Sequence, residues 1–115
     1  MTKKEIELSG RKTKLYWVAC YGFKAYLLES KVKKVCDDVA FMRCGYCVPF
    51  DMLSPSQVEA CEKAVGCYEE QLKNTPKGIK GFNYEMYKLK HILFSCRNLL
   101  ENTRLNYDSS PKFRK

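Results

Sequence analysis

Histidine, long apolar runs and carboxylates are all scarce in this chain of 115 residues, and each scarcity excludes a class of function. His91 is the only histidine, so no Ser/His/Asp set can be nominated, and no nucleophile elbow accompanies it. The neighbouring carboxylates Asp37-Asp38 and Glu69-Glu70 would point to different sides of a helix, which does not suit paired acid and base work. Lys77-Gly78-Ile79-Lys80-Gly81 lacks the glycine spacing and the Lys-Ser/Thr ending of a phosphate-binding loop. The expectation is a protein that is not an enzyme. No apolar stretch approaches the ~20 residues that span a bilayer, and MTKKEIELSGRKTK contains no greasy leader. This predicts no integral membrane association and an intracellular, cytoplasmic or nuclear, location.

Cations are plentiful: 21 Lys and Arg face 13 Asp and Glu, for a net charge of +8. Residues 1–35 hold nine basic and three acidic groups, residues 36–74 three and seven, and residues 75–115 nine and three. Two basic arms therefore flank an acidic centre. This layout points to nucleic acid or an acidic protein as partner. Lys12, Lys14, Lys24, Lys88, Lys90 and Arg97 are the candidate phosphate contacts, with Tyr16, Trp17, Tyr84, Tyr87 and Tyr107 available to stack on bases. The alternative function is a protein-binding adaptor of viral or phage type, docking a host factor or polymerase in a groove between helices.

Seven cysteines, an odd number without an export signal, argue against a full disulfide framework. Cys44 and Cys47, in Arg43-Cys44-Gly45-Tyr46-Cys47, have the spacing that turns two sulfurs toward one tetrahedral ion, which makes Zn2+ the expected cofactor. Cys61 and Cys67 are the best completing pair, on condition that Gly66 breaks the helix between them, because six residues otherwise separate them by about 120°. Cys36 competes as third ligand. His91 and Cys96 lie about 140° apart on one helix and cannot share an ion. Cys20 and Cys96 fall on or beside apolar stripes and read as buried thiols. Cys-Gly-Tyr-Cys also looks like the active-site motif of thioredoxin-like proteins, although Val48-Pro49 follows where a helix should open.

The apolar residues Leu15, Val18, Ala19, Gly22, Phe23, Tyr26 and Leu27 recur at spacings of three and four, which predicts a first helix over 13–29. Val32, Val35, Cys36 and Val39 predict a second helix or a kinked extension, with a short strand as the alternative. Ser54-Pro55-Ser56-Gln57 reads as a helix start with Ser54 as cap, and the stripe Val58, Cys61, Val65, Tyr68 and Leu72 runs on to Asn74. Asn83 caps a last helix to Leu105, with Met86, Leu89, Leu93, Cys96 and Leu100 turned inward. The expected fold is mainly α, a small bundle of three to four helices with a Cys-x-x-Cys knuckle between the second and third elements. Residues 1–12 read as a mobile basic arm, 13–105 as one helical domain, and 106–115 as a basic polar tail.

Cys20-Tyr21-Gly22, Arg43-Cys44-Gly45-Tyr46-Cys47 and Leu53-Ser54-Pro55 lie between Cys20 and Lys63, about two fifths of the chain. This stretch resembles one zinc-binding half of the papillomavirus early transforming proteins. The resemblance implies a zinc-stabilised adaptor that binds peptides; the second Cys-x-x-Cys of that family has no counterpart here.

Overall fold

The computed structural model describes residues 1–75 and 84–109, with side chains through Asn106. The chain runs through α1 (Lys3–Ser9), β1 (Leu15–Tyr21), β2 (Lys24–Ser30), β3 (Val32–Val35), β4 (Val39–Met42), β5 (Cys47–Pro49), a 3-10 turn (Phe50–Met52), α2 (Gln57–Asn74) and α3 (Tyr84–Ser109). The expected helical bundle is wrong. Its first half is built instead from two antiparallel sheets, β1-β2 and β3-β4-β5.

The helix predicted over 13–29 is the β1-β2 hairpin, paired from Leu15↔Ser30 to Tyr21↔Lys24. Gly22 and Phe23, both at positive φ (53° and 70°), form its two-residue turn, the primed geometry that matches strand twist. Alternation is hidden because both faces are covered. Val18, Cys20, Ala25 and Leu27 pack with the long helices, while Leu15, Trp17, Ala19 and Leu28 pack with the second sheet and α1. A strand covered on both sides reads as a nearly continuous apolar run, which imitates a helical stripe.

A phenylalanine at φ 70° is strained. Its ring is held 6.0 Å from His91 and 6.1 Å from Tyr87 on α3, and the Ala25 amide donates to Ser95 Oγ at 2.8 Å one step further on. The hairpin tip is thus pinned to α3. Phe23→Ala loses the ring contacts and keeps the strain, whereas Phe23→Gly loses the contacts and relieves it. Urea denaturation should find the glycine variant the more stable of the two by about 1 kcal/mol.

In the second sheet Cys36 and Val39 close a two-residue loop at Asp37-Asp38, and a bulge between Val32 and Lys34 shifts the β3-β4 register. The β4-β5 connection is Arg43-Cys44-Gly45-Tyr46, with Gly45 at φ 103° and the Met42 amide donating to Tyr46 O at 2.8 Å. This is a type I turn followed by a glycine bulge. Val32, Ala40, Met42 and Val48 turn inward onto Ile6, Leu15, Trp17 and Leu53. Trp17 meets the Tyr46 ring at 5.7 Å in a tilted edge contact.

Residues 3–9, read from sequence as part of a polar arm, form a capped helix. Thr2 Oγ1 accepts from the Glu5 amide, and Glu5 Oε1 accepts from the Thr2 amide. Ile6 is fully buried and ties α1 into the core. Residues 106–109 continue α3; the rest of the expected tail, the 77–81 connector and the Asn83 cap lie outside the described residues.

The α2 start falls two residues later than predicted. Ser56 is the cap, its Oγ accepting from the Glu59 amide at 3.2 Å, and Ser54 Oγ accepts from the Ser56 amide at 3.0 Å. Ser54 is instead bound into the sheet layer by reciprocal backbone bonds with Tyr16. Arg104 pairs with Glu62 and Arg97 with Glu69, each at 2.8 Å, so α2 and α3 run antiparallel. Their shared face includes Cys61, Ala64, Ile92 and Cys96 and packs on the β1-β2 hairpin.

Candidate functional site

The sequence-predicted cations are distributed over the end of α1, the β1-β2 hairpin and α3, and two of them are already paired. Lys14 pairs with Glu29 at 3.0 Å, which raises its pKa through the hydrogen bond and then the opposite charge. Arg97 is committed to Glu69 between the helices. Lys12 is exposed after α1, Lys24 is exposed at the start of β2, and Lys88 and Lys90 stand on α3, half-buried and exposed respectively. Among the aromatic candidates Trp17 is buried and cannot stack on a base, Tyr16 is half-buried, and Tyr84 and Tyr87 cluster with Phe23. The side chain of Tyr107 lies outside those described.

The structure gathers a different set. The Val32 amide donates to Gly10 O at 2.7 Å, and the Arg43 amide donates to Lys31 O at 2.9 Å. These two bonds bring Arg11 and Lys12, the strand segment Lys31 to Lys34, and Arg43 to one corner. None of Arg11, Lys12, Lys31, Lys33, Lys34 and Arg43 has an ion pair among the described residues. Asp37 and Asp38 sit at the opposite end of the β3-β4 hairpin. Register places Lys34, Phe41 and Cys47 side by side across β3, β4 and β5, all exposed on the outer face. Phe41 is 39% exposed, an aromatic ring on an open sheet beside cations. The signal that could have found this site is Lys31-Val32-Lys33-Lys34-Val35, in which the valines face the core and the lysines occupy an edge strand.

The cysteines assigned to zinc do not converge. Cys44 and Cys47 are exposed on the β4-β5 hairpin, whereas Cys61 is buried between the helices, its sulfur 3.6 Å from Thr103 Oγ1. Cys67 is bonded by the Gln71 side-chain amide at 3.3 Å. α2 passes through Gly66 without a break, so Cys61 and Cys67 keep the angular separation that bars a shared ion. Among the described residues no group of three or more His, Cys, Asp or Glu is arranged to hold a metal ion. The zinc reading of Cys44, Cys47, Cys61 and Cys67 is therefore corrected. The hairpin itself supplies the reason for the motif's appearance: Gly45 serves the turn, and Cys47 opens a strand where a thioredoxin-like motif would open a helix. Replacing both Cys44 and Cys47 with serine, or adding a chelator, should leave thermal unfolding unchanged within about 0.5 kcal/mol.

One open groove of about 680 Å³ runs along β2, lined by Tyr21, Ala25, Tyr26, Leu27, Leu28 and Leu99. β2 is one of the two strands of its sheet, both of them edges. Among the described residues no helix is long and apolar enough to cross a membrane. No protein-family model, curated protein or solved structure matches this chain.

Proposed function

We propose that this protein is a non-enzymatic binding module that contacts single-stranded nucleic acid through the outer face of β3-β4-β5 and the adjoining α1 corner. The observation that supports the reading is the gathering of six cations, with no ion pair among the described residues, at the β3 and α1 corner, where Lys34 stands beside exposed Phe41. Cations already neutralised by carboxylates gain little from a phosphate, whereas free ones release condensed counterions when they bind. Phe41 adds a flat surface on which an unpaired base can stack, a contact that a duplex does not offer.

Fluorescence anisotropy of a labelled single-stranded oligonucleotide, titrated over a range of salt concentrations, tests this. If all six cations meet phosphates, the logarithm of affinity falls against that of salt with a slope near about −4. Absence of binding at low salt overturns the reading.

The β2 groove favours a second reading, a protein partner that seats apolar side chains beside Leu27, Leu28 and Leu99. Substituting Tyr26 or Leu99 would weaken such a partner and leave oligonucleotide binding intact.

A further inference from the structure

We infer that Cys20 and Cys96 form a peroxide-oxidisable dithiol, with Cys20 as the attacking sulfur and Cys96 as the resolving one, that closes a disulfide between β1 and α3. The pair lies on the helix side of the β1-β2 hairpin, away from the cationic sheet. Cys20 is half-buried near the end of β1, and Cys96 is 1% exposed on α3 in the same packed cluster. Cys20 stands opposite Ala25 in the hairpin, and the Ala25 amide donates to Ser95 Oγ at 2.8 Å, which seats Cys96, the next residue of α3, beside β1; Tyr68 of α2 packs against the same cluster. Three elements therefore meet around Cys20, which is only half-buried.

The electrostatics divide the roles. Hydrogen bonds from Cys96 and then Tyr68 outweigh the effect of burial and bring the Cys20 pKa down from 9.0 to about 6. Cys96 is pushed far up by its bond to Cys20, by burial, and by the charges of Cys20, Cys61 and Cys67. Burial and the bond to Cys20 likewise raise Tyr68. These directions make Cys20 the sulfur that ionises first, with Cys96 and Tyr68 holding their protons beside it. A thiol that was merely buried among apolar side chains would shift the other way, as Cys61 does.

The chemistry balances with hydrogen peroxide as oxidant. The Cys20 thiolate attacks one peroxide oxygen, the O–O bond breaks, and hydroxide leaves, giving a sulfenic acid. The Cys96 sulfur then attacks the Cys20 sulfur, the S–O bond breaks, and the departing hydroxide takes the Cys96 proton as water. Two thiols lose two electrons, and one peroxide becomes two waters. Closure requires the two sulfurs to approach to about 2.05 Å.

The test treats the full chain with hydrogen peroxide, blocks residual thiols with N-ethylmaleimide, and maps the products by mass spectrometry. A Cys20–Cys96 cross-linked peptide is expected, with the other five cysteines alkylated. In Cys96→Ser, Cys20 should accumulate as a dimedone-reactive sulfenic acid, and in Cys20→Ser, Cys96 should remain a thiol. Seven alkylated thiols, or a cross-link confined to Cys44 and Cys47, would overturn the inference. The wild-type chain gives a second readout that no variant can confound. Alkylation of Cys20 by iodoacetamide should reach half its maximal rate near pH 6; a midpoint near 9 contradicts the assignment.

Discussion

Replacing Lys33, Lys34 and Arg43 together with glutamate should abolish oligonucleotide binding at about 0.1 M salt, a loss of roughly 100-fold or more. All three side chains are exposed and lack ion pairs among the described residues, so the fold loses nothing when they change. Surface substitutions of this kind alter stability by about 0.5 kcal/mol or less. The milder glutamine versions separate charge from repulsion. Removing three phosphate contacts should flatten the salt slope by about 2, since each contact to a single strand contributes about 0.7. Lys90→Glu on α3, away from the sheet, serves as the control and should leave affinity and slope almost unchanged. Equal losses from Lys90→Glu and from the sheet variants would mean that net charge alone drives binding.

The second large effect is structural and comes from one methyl group. A Cβ built on Gly10 would lie 2.6 Å from Val32 Cγ2 and 2.7 Å from Ile6 O. Neither neighbour can retreat, because Val32 and Ile6 are both buried and Val32 is bonded to Gly10 O through its amide. Gly10→Ala should therefore destabilise the protein by about 1–3 kcal/mol, the usual cost of overfilling a packed site. It should also weaken oligonucleotide binding, since the Gly10 and Val32 contact holds Arg11 and Lys12 against β3. Gly66→Ala makes the opposite prediction. Gly66 is exposed inside α2 with no atom within 4 Å of the added Cβ. Alanine there should stabilise the helix by about 0.5–1 kcal/mol. Urea denaturation of the two variants reads out both signs.

The Cys20 thiolate adds a pH dependence to stability. Its folded pKa lies below the unfolded value, so its contribution is present above pH 9, where both states are ionised, and is lost as the pH falls toward 6. Cys96 and Tyr68, raised in the folded state, contribute in the opposite sense: their stabilisation is complete below their unfolded pKa values and fades above them. Between about pH 6 and 8 the Cys20 effect stands alone within this cluster, and wild type should gain stability with pH where Cys20→Ser does not.

The C-terminal half of the fold was legible in the sequence because α2 and α3 each bury one stripe. Leu89, Leu93 and Cys96 fall on the inward stripe of the sequence and are buried. The N-terminal half was not legible, for a physical reason that applies residue by residue. Tyr16, Trp17, Val18, Tyr21, Phe23 and Tyr26 are aromatic or β-branched and favour strands, yet burial of both hairpin faces removed the alternation that marks a strand. The turn at Gly22-Phe23 also lacks the usual Asn-Gly or Asp-Gly signature, since packing on α3 holds Phe23 at a φ that its side chain disfavours. Ile6 has only exposed Leu8 as an apolar companion in α1, and a spacing of two marks no helical face. At the site, counting charges located the basic arms but could not tell free cations from paired ones. Glu29 and Glu69, which engage Lys14 and Arg97, are distant in sequence, and the Lys31 and Arg43 contact depends on a register that only the folded sheet reveals.

The central claim is that a single-stranded nucleic acid lies across β3-β4-β5, and NMR titration of the 15N-labelled protein with an unlabelled oligonucleotide tests it most directly. Amide shifts should concentrate at Arg11, Lys12, Lys33, Lys34, Phe41 and Arg43 and leave Glu62 and Glu69 on α2 unmoved. Shifts confined to Tyr21, Tyr26, Leu27 and Leu99 along the β2 groove, or no shifts at all in low salt, would contradict it.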